Sequence, residues 1–338
     1  MYLMEPYDDA LLDILDDGIK KGDRTGIGCI SVAGLQRVYP LHNVWREDEN
    51  GTWYHFPIVT GRRLYPKAVF AELLWFISGS TRNQDLEALG AKFWGKWCDE
   101  NNPKYVALRK KWDYEPGDFG PIYGWQLRNF GGDYQQYRKA EANLKYIEEH
   151  PESVVYSSGE ELRSGYQSFM ESAKGIDQLK WMVDVLRNDP FGSEGRRCLF
   201  SLWNPADLLK MALPPCHYTY QAIPDGDGGL TGILTQRSCD FPVGVPANIQ
   251  FYSALTIMLA QQANMKPRAF VHETHDSHIY LDQVEQVRQY LNRVYAESRP
   301  DSPKLCIRKA KDIFSYKMDD FLIADYNPLD KIDIPVAV

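Results

Sequence analysis

Three short motifs in the second half of the chain combine a thiol, a guanidinium, a carboxylate and an amide. They are Pro214-Pro215-Cys216-His217, Gln236-Arg237-Ser238-Cys239-Asp240 and Gly244-Val245-Pro246-Ala247-Asn248. A thiolate is the attacking form of cysteine, and a nearby guanidinium favours it. An asparagine amide both donates and accepts, so it can bind a ring that presents a carbonyl beside an N–H. The motifs therefore indicate a nucleophile, Cys216, its activator, Arg237, and a base-recognition group, Asn248.

Each of these assignments has a structural alternative. A single cysteine is more often a small buried apolar residue than a nucleophile. His217 is likewise more often a hydrogen-bonded structural residue than a base. The two prolines before Cys216 restrict the backbone and favour a thiol in a fixed position.

A second candidate for chemistry is Glu72, which lies among apolar and aromatic residues. Pro66 and Gly79 predict a helix that begins at Pro66, runs to Ile77 and is stopped by Gly79. Burial of Glu72 in this helix would raise its pKa and suit it to proton transfer near neutral pH. The alternative is that Glu72 occupies the polar stripe of its helix.

Four arginines are candidates for binding a phosphate, because guanidinium groups match its oxygens. They are Arg24, Arg196, Arg197 and Arg237. Neighbours on a strand point to opposite faces. If Arg196 and Arg197 bind one phosphate, the backbone must bend or a partner subunit must bring them in. The alternative is surface ion pairing.

The aromatic residues Phe93, Trp94 and Trp97 indicate either a core cluster or a surface that stacks a flat heterocycle. The sequence contains neither a glycine-rich dinucleotide fingerprint nor a P-loop. His272, His275 and His278 lie at i, i+3 and i+6, and we interpret them as polar strand-end residues and not as metal ligands, so no metal is predicted.

The bulk properties are those of an ordinary globular protein. The 338 residues are 44% hydrophobic and 25% charged, and the net charge of -8 argues against a general nucleic-acid binder. The six scattered cysteines, and an N-terminus unlike a signal peptide, predict a reduced cytoplasmic protein without membrane association.

Apolar periodicity predicts an α+β fold with helices packed on a large mixed sheet. Helices are predicted at 8–21, 66–77, 176–188, 249–263 and 280–295, and strands at 29–39, 197–204, 217–224 and 229–238. A single domain over residues 1–338 is expected. Charged and glycine-containing stretches near 42–54, 101–117 and 150–170 are interpreted as inserted loops.

The chain resembles the thymidylate synthase family almost from end to end. The motifs that carry the resemblance are Asp23-Arg24-Thr25-Gly26, Glu72-Leu73-Leu74-Trp75-Phe76, Gly120-Pro121-Ile122-Tyr123-Gly124, Arg196-Arg197, Pro215-Cys216-His217, Gln236-Arg237-Ser238-Cys239-Asp240, His278-Ile279-Tyr280 and Pro335-Val336-Ala337-Val338. In combination they are far more specific than any one of them.

The resemblance implies a homodimer that acts on a dUMP-like nucleotide with 5,10-methylenetetrahydrofolate as one-carbon donor. Cys216 would add to C6 of the pyrimidine, Glu72 would relay protons and Tyr123 would help to remove the C5 proton. Further catalytic roles fall to His217, Arg237, Asp240 and Asn248. The implied nucleotide contacts are Arg24, Gln236, Ser238, Asn248, His278 and Tyr280, with Arg196 and Arg197 from the partner subunit. The implied folate contacts are Arg62, Phe93, Trp94, Trp97, Leu213, Asp240, Gly244, Ala247 and Val338.

Several positions depart from the family pattern. Ala247 stands where phenylalanine is usual, Phe93 where isoleucine or a similar residue is usual, Arg62 where lysine is usual and Gly95 where aspartate is usual. Thr274 and His275 replace glycines. Three functions follow as hypotheses: reductive methylation of dUMP to dTMP, which Trp94 and Val338 favour; hydroxymethylation, in which water replaces hydride; and a non-catalytic nucleotide- or RNA-binding relative.

Overall fold

Two β-sheets and the helices that cover them form the described part of the chain. The computed structural model describes residues 1–23, 25–150, 159–296 and 299–336. The helices there are α1 (Glu5–Asp17), α2 (Pro66–Ser78), α3 (Asn83–Ala88), α4 (Pro103–Trp112), α5 (Tyr123–Arg128), α6 (Tyr134–Glu149), α7 (Gly159–Ala173), α8 (Gln178–Asn188), α9 (Val245–Gln262) and α10 (Val284–Ala296). The strands are β1 (Ile19–Lys21), β2 (Cys29–Pro40), β3 (Val44–Asp48), β4 (Gly51–His55), β5 (Leu199–Ser201), β6 (His217–Pro224), β7 (Gly229–Asp240), β8 (Lys266–Tyr280), β9 (Lys304–Ile307) and β10 (Phe321–Ala324).

The larger sheet has the strand order β1-β2-β8-β7-β6-β5. Its neighbours are antiparallel except β7 and β8, which run parallel. The predicted α+β fold with a large mixed sheet is therefore confirmed. The smaller sheet has the order β10-β9-β4-β3. One buried core contains side chains from both sheets, among them Leu234, Phe270, Leu305 and Phe321.

The larger sheet buries alternate residues, as the two-residue period of a strand requires. In β7, Leu230, Gly232, Leu234 and Gln236 are buried and the residues between them are half-buried. Helix α9 contacts β7 and β8 and is buried almost all round. Several polar residues of α9, among them Asn248, Gln250, Ser253 and Thr256, are therefore inside the protein.

Helix α2 has the ends that its sequence predicts. Pro66 occupies its first turn, and Gly79 follows it with a positive φ of 80° and donates its N–H to the Phe76 carbonyl. Glycine adopts this left-handed conformation without a steric penalty. The helix contacts α5 and α9, and this packing buries the face that carries Glu72.

The prediction of loops at three charged stretches is wrong. Residues 42–54 contain the β3–β4 hairpin, in which Arg46 stacks on Trp45 and Trp53. Residues 101–117 contain α4, whose N-terminus is capped by Asn102. Helix α7 occupies much of 150–170, of which 151–158 lie outside the described residues. These elements are charged because they are exposed, and exposure was mistaken for irregular structure. That they are insertions stays a prediction.

Among the described residues, the helices include none with the length and apolar character needed to cross a membrane.

Candidate active site

The backbone of Cys216 is held from two sides. Its N–H donates to the Tyr123 hydroxyl at 2.9 Å, and its carbonyl accepts from the Arg237 N–H at 2.9 Å. The residue lies between Pro215 and the start of β6, and its side chain is half-buried. These two backbone hydrogen bonds support the prediction of a thiol in a fixed position.

The guanidinium of Arg237 lies beside the Cys216 thiol. Its Nη2 is 3.8 Å from the Cys216 Sγ. The group is oriented by the Pro215 carbonyl, which accepts from its Nε at 2.8 Å, and by the Trp203 ring, whose centroid is 5.3 Å away. A positive charge in this place stabilises a thiolate. The role of Arg237 as activator stays a prediction.

Tyr123 reaches Cys216 because the chain before α5 is sharply bent. Gly120 has a φ of 75°, and a Cβ there would lie 2.1 Å from the Lys210 carbonyl oxygen. Only glycine fits this close approach. Burial, together with the nearby Cys216 thiol, raises the pKa of Tyr123 well above its usual value. The phenol is therefore protonated at neutral pH and acts as a hydrogen-bonding group.

His217 is buried behind the thiol and is neutral. Its ring stacks on Tyr123 with the centroids 4.5 Å apart, and its Nδ1 lies 2.7 Å from the Tyr252 hydroxyl. Burial, assisted by His272, lowers the pKa of His217 to about 3. The imidazole thus carries no charge near neutral pH, and its catalytic role stays a prediction.

Glu72 is the buried carboxyl group of the site. It is 8% exposed, and the Trp94 indole N–H donates to its Oε1. Burial raises the pKa of Glu72 to about 7. The predicted rise is confirmed, because the packing of α2 removes water from the carboxyl group.

Trp94 joins Glu72 to an aromatic wall. Its ring lies 5.3 Å from that of Trp97 and 5.8 Å from that of Tyr123. Trp94 is buried, whereas Phe93 is 42% exposed. Of the aromatic residues that are close together in the sequence, Trp94 therefore lies in the core and Phe93 lies on the surface.

Asp240 ends β7 where the chain turns into α9. Gly244 donates its N–H to the Asp240 carbonyl at 2.8 Å, and Asn248 donates its backbone N–H to the Gly244 carbonyl at 3.1 Å. Asn248 is buried, while Ala247 beside it is half-buried against the core. Burial raises the pKa of Asp240 to about 6, and a hydrogen bond from Gln283 opposes that rise.

The neighbouring strands β7 and β8 carry four of the implied nucleotide contacts, which are Gln236, Ser238, His278 and Tyr280. Asp240 pairs with His278 across β7 and β8, and Tyr280 pairs with Cys29 across β8 and β2. Gln236 donates to the Ser238 carbonyl at 3.2 Å. Burial lowers the pKa of His278, so its ring is neutral at neutral pH.

Arg196 and Arg197 lie apart from this group. They form part of a 3₁₀ turn, Gly195–Arg197, so the prediction of a strand from 197 to 204 is wrong at its start. The backbone at Gly195 packs on Pro190, whose carbonyl oxygen would be 1.9 Å from a Cβ. Arg197 pairs with Glu194 at 2.7 Å on the exposed edge of the sheet.

Arg62 and Leu213 have structural contacts near the site. Arg62 is buried and donates from Nη2 to the Pro242 carbonyl at 2.5 Å, in the turn after Asp240. Leu213 is half-buried against the core just before the proline pair. Arg24 and Val338 lie outside the described residues.

Two residues near the site were missed in the sequence. Trp203 stacks on Arg237, and Gln283 donates to Asp240 at 3.2 Å. Gln283 follows the strand end at Tyr280 at the spacing of a helix-capping residue, which is the signal that points to it. Within the described ranges, His, Cys, Asp and Glu side chains form no group of three or more that could hold a metal ion.

Comparisons with known proteins identify the family of this chain. A sequence model of the thymidylate synthase family matches residues 5–338. The chain is 35% identical to the thymidylate synthase of equine herpesvirus 2. The 333 aligned residues cover 98% of this chain and 97% of that protein. It is 36% identical to the Homo sapiens thymidylate synthase, and the 325 aligned residues cover 96% of this chain and 88% of that protein. A bifunctional dihydrofolate reductase-thymidylate synthase of Paramecium tetraurelia is 32% identical to this chain. The 332 aligned residues cover 98% of this chain and 61% of that protein. The chain therefore belongs to the thymidylate synthase family.

Proposed function

We propose that this enzyme transfers a one-carbon unit from 5,10-methylenetetrahydrofolate to C5 of dUMP and forms dTMP. The observation that carries the proposal is the position of Cys216, whose thiol lies beside Arg237 and whose backbone N–H donates to Tyr123, in a chain that matches thymidylate synthases along its length. Methylenetetrahydrofolate, the family's co-substrate, supplies the carbon and the hydride.

Cys216 starts the reaction by adding its sulfur to C6 of the pyrimidine. The addition places electron density at C5, which then attacks the one-carbon unit. Arg237 stabilises the thiolate before the addition. The backbone bonds to Tyr123 and Arg237 keep the sulfur in place, so little ordering remains to be done when the nucleotide binds.

Glu72 and Tyr123 handle protons. With a pKa of about 7, Glu72 populates its protonated and ionised forms together near neutral pH. Tyr123 keeps its proton, so it assists removal of the C5 proton through a hydrogen-bonded relay rather than as a phenolate.

The nucleotide contacts are proposed from their positions on neighbouring strands. Arg237 and Ser238, with Arg24, bind the phosphate, and His278 and Tyr280 bind the sugar. Asn248 binds the uracil edge, since its amide matches a carbonyl beside an N–H, and Gln236 and His217 support the base.

The residues present are suited to the folate. Asp240 is a half-buried carboxyl group that could accept hydrogen bonds from a pterin ring, and the wall of Trp94 and Trp97 offers a flat apolar surface. Arg62, Phe93, Leu213, Gly244, Ala247 and Val338 stay predicted contacts.

We also propose a homodimer in which Arg196 and Arg197 bind the phosphate in the partner's site. Support comes from their place at the exposed edge, where the Arg196 carbonyl accepts from Gln221, well along β6 from Cys216. A mixed dimer of Cys216→Ala and Arg196→Ala subunits should regain activity, because one of its two sites keeps both groups. Hybrids that form but stay inactive would place the arginine in its own subunit's site. The cytoplasmic location stays a prediction.

The product distinguishes methylation from the alternatives. Hydride transfer oxidises the folate, so dihydrofolate should appear in step with dTMP. A nucleotide one oxygen heavier, with the folate left reduced, would indicate hydroxymethylation, and unchanged nucleotide would indicate a binding protein. The names of the relatives and the buried Trp94, which shields the site from water, both support methylation.

A further inference from the structure

A buried amide joins three parts of the candidate site. Gln283 ends the 3₁₀ turn Leu281–Gln283 and is 0% exposed. Its Nε2 donates to both carboxylate oxygens of Asp240 at 3.2 Å and to the Pro335 carbonyl at 2.8 Å. Its Oε1 accepts from the Tyr280 backbone N–H at 3.0 Å.

The surroundings fix the orientation of this amide. Its nitrogen faces a carboxylate and a carbonyl, which are acceptors, and its oxygen faces an N–H donor. An amide has two N–H groups and one carbonyl, so each of them has a partner here. Neither a carboxylate nor an apolar side chain of the same length can make this set of bonds, and buried groups left without partners are costly.

The bond to Pro335 holds the C-terminal segment beyond its anchors in the core. Leu329 donates its N–H to the Thr60 carbonyl at 2.8 Å, and Ile332 is buried among core residues. Beyond Ile332, Ile334 is half-buried against the core, and Val336 is 45% exposed. The amide of Gln283 therefore holds the segment at the point where it passes Asp240.

We infer that Gln283 is a positioning residue that couples the Asp240 carboxylate to the seating of the C-terminal segment and thereby sets the affinity for the folate. The folate part of this inference rests on the proposed function, in which Asp240 and the C-terminus contact that co-substrate. The coupling itself is a property of the protein alone.

The electrostatics of Asp240 give the coupling a direction. Burial raises its pKa, whereas the Gln283 amide, the Val243 backbone N–H and the Lys96 ammonium lower it, and Asp282 raises it further. Removal of the amide therefore favours the protonated acid. Removal of the amide also releases Pro335, so the change in protonation and the release of the segment both occur beside Asp240.

Two substitutions of similar length test the inference. Gln283→Met removes the hydrogen bonds, and Gln283→Glu replaces the donor by a second carboxylate. Gln289→Met is the matched control, because Gln289 lies on the exposed side of α10. We expect both Gln283 variants to raise KM for methylenetetrahydrofolate by about tenfold or more, as the loss of a buried bond to a charged group implies, with KM for dUMP within about twofold.

Two readouts on the protein without ligands separate this inference from the proposed function. Carboxypeptidase should release C-terminal residues faster from both Gln283 variants than from Gln289→Met, and the Asp240 carboxyl carbon, followed by NMR, should titrate at a higher pH. Wild-type release rates and an unshifted titration in folded variants would overturn the coupling, even in an active enzyme. If the wild type makes no dTMP but both readouts shift, the proposed function fails and the coupling stands. An equal rise in both KM values would show general damage and would also overturn the inference.

Discussion

The site around Cys216 and the N-terminal cluster around Asp8 both bury carboxyl groups, yet they surround them differently. Burial raises the pKa of Glu72 to about 7 and that of Asp8 also to about 7. Glu72 accepts from the Trp94 indole in a site that also contains a thiol. Asp8 accepts from the hydroxyls of Tyr2 at 2.6 Å and Tyr290 at 2.7 Å, inside the packing of α1 against α10.

The comparison shows that a raised pKa reports burial and does not by itself mark a catalytic group. Asp8 is 0% exposed and enclosed by phenols, with Arg299 3.9 Å away. Trp94, which donates to Glu72, packs against the ring of Tyr123, and Tyr123 in turn contacts Cys216. The presence of reactive side chains nearby distinguishes the candidate catalytic carboxyl group of Glu72 from the structural one of Asp8. Substitutions can test this distinction.

The largest effect is expected at the thiol. Cys216→Ala should lower turnover by at least about 10³-fold, because the covalent route is lost, while dUMP binding remains through the phosphate contacts. Release of tritium from C5-labelled dUMP measures turnover, and calorimetry measures binding. Substantial turnover by the purified variant would remove Cys216 from the role of nucleophile.

A smaller loss is expected at Glu72. Glu72→Gln keeps the size of the side chain but cannot move a proton, so kcat should fall by about 10²–10⁴-fold. The wild-type pH profile should bend near pH 7, where burial places the pKa of Glu72, and the bend should vanish in the variant. A profile that keeps its bend would assign it to another group.

The smallest effect on activity is expected at Asp8. Asp8→Asn should leave kcat/KM within about twofold of the wild type, because the cluster contacts no reacting group. Its effect should appear in stability. The folded protein keeps a proton on Asp8 up to about pH 7, whereas an unfolded aspartate releases it near about pH 4.

The free energy of unfolding of the wild type should therefore fall, relative to Asp8→Asn, as the pH rises from about 4 to about 7. The difference accumulated over this range is on the order of a few kcal/mol at most. Urea unfolding of both proteins at several pH values measures it. Parallel curves would show that Asp8 is not protonated in the folded state.

Most elements whose burial follows an apolar period were predicted from the sequence, although the helix predicted at 8–21 ends at Asp17 and Ile19–Lys21 forms β1. Helix α2 was found from Pro66, Gly79 and the apolar residues between them. The bounds of β8 were not predicted, although its histidines were interpreted as strand-end residues, because buried polar side chains interrupt its pattern. His272, for example, is buried with its Nε2 2.8 Å from the Gln236 side-chain oxygen. Such a partner comes from a distant part of the chain, so local periodicity cannot reveal the strand.

The site could be predicted only in part, because some of its contacts join residues that are distant in the sequence. Cys216, Arg237 and Glu72 were predicted as site residues because their residue types and neighbours indicate chemistry. Gln283 was missed because its role depends on Asp240 and Pro335, which only the folded chain brings to it. The edge position of Arg196 and Arg197 depends on a turn that a strand pattern does not show.

Covalent addition by Cys216 is the central claim, and trapping the adduct tests it most directly. The measurement is the mass of the intact protein after incubation with 5-fluoro-dUMP and methylenetetrahydrofolate, followed by mapping of the modified peptide. A fluorine at C5 cannot leave as a proton does, so the reaction should stop with the nucleotide bound to sulfur. We predict a mass increase that includes one nucleotide, located on the peptide that contains Cys216 and absent from Cys216→Ala. An adduct on another residue such as Cys239, or an active enzyme that forms none, would contradict the account.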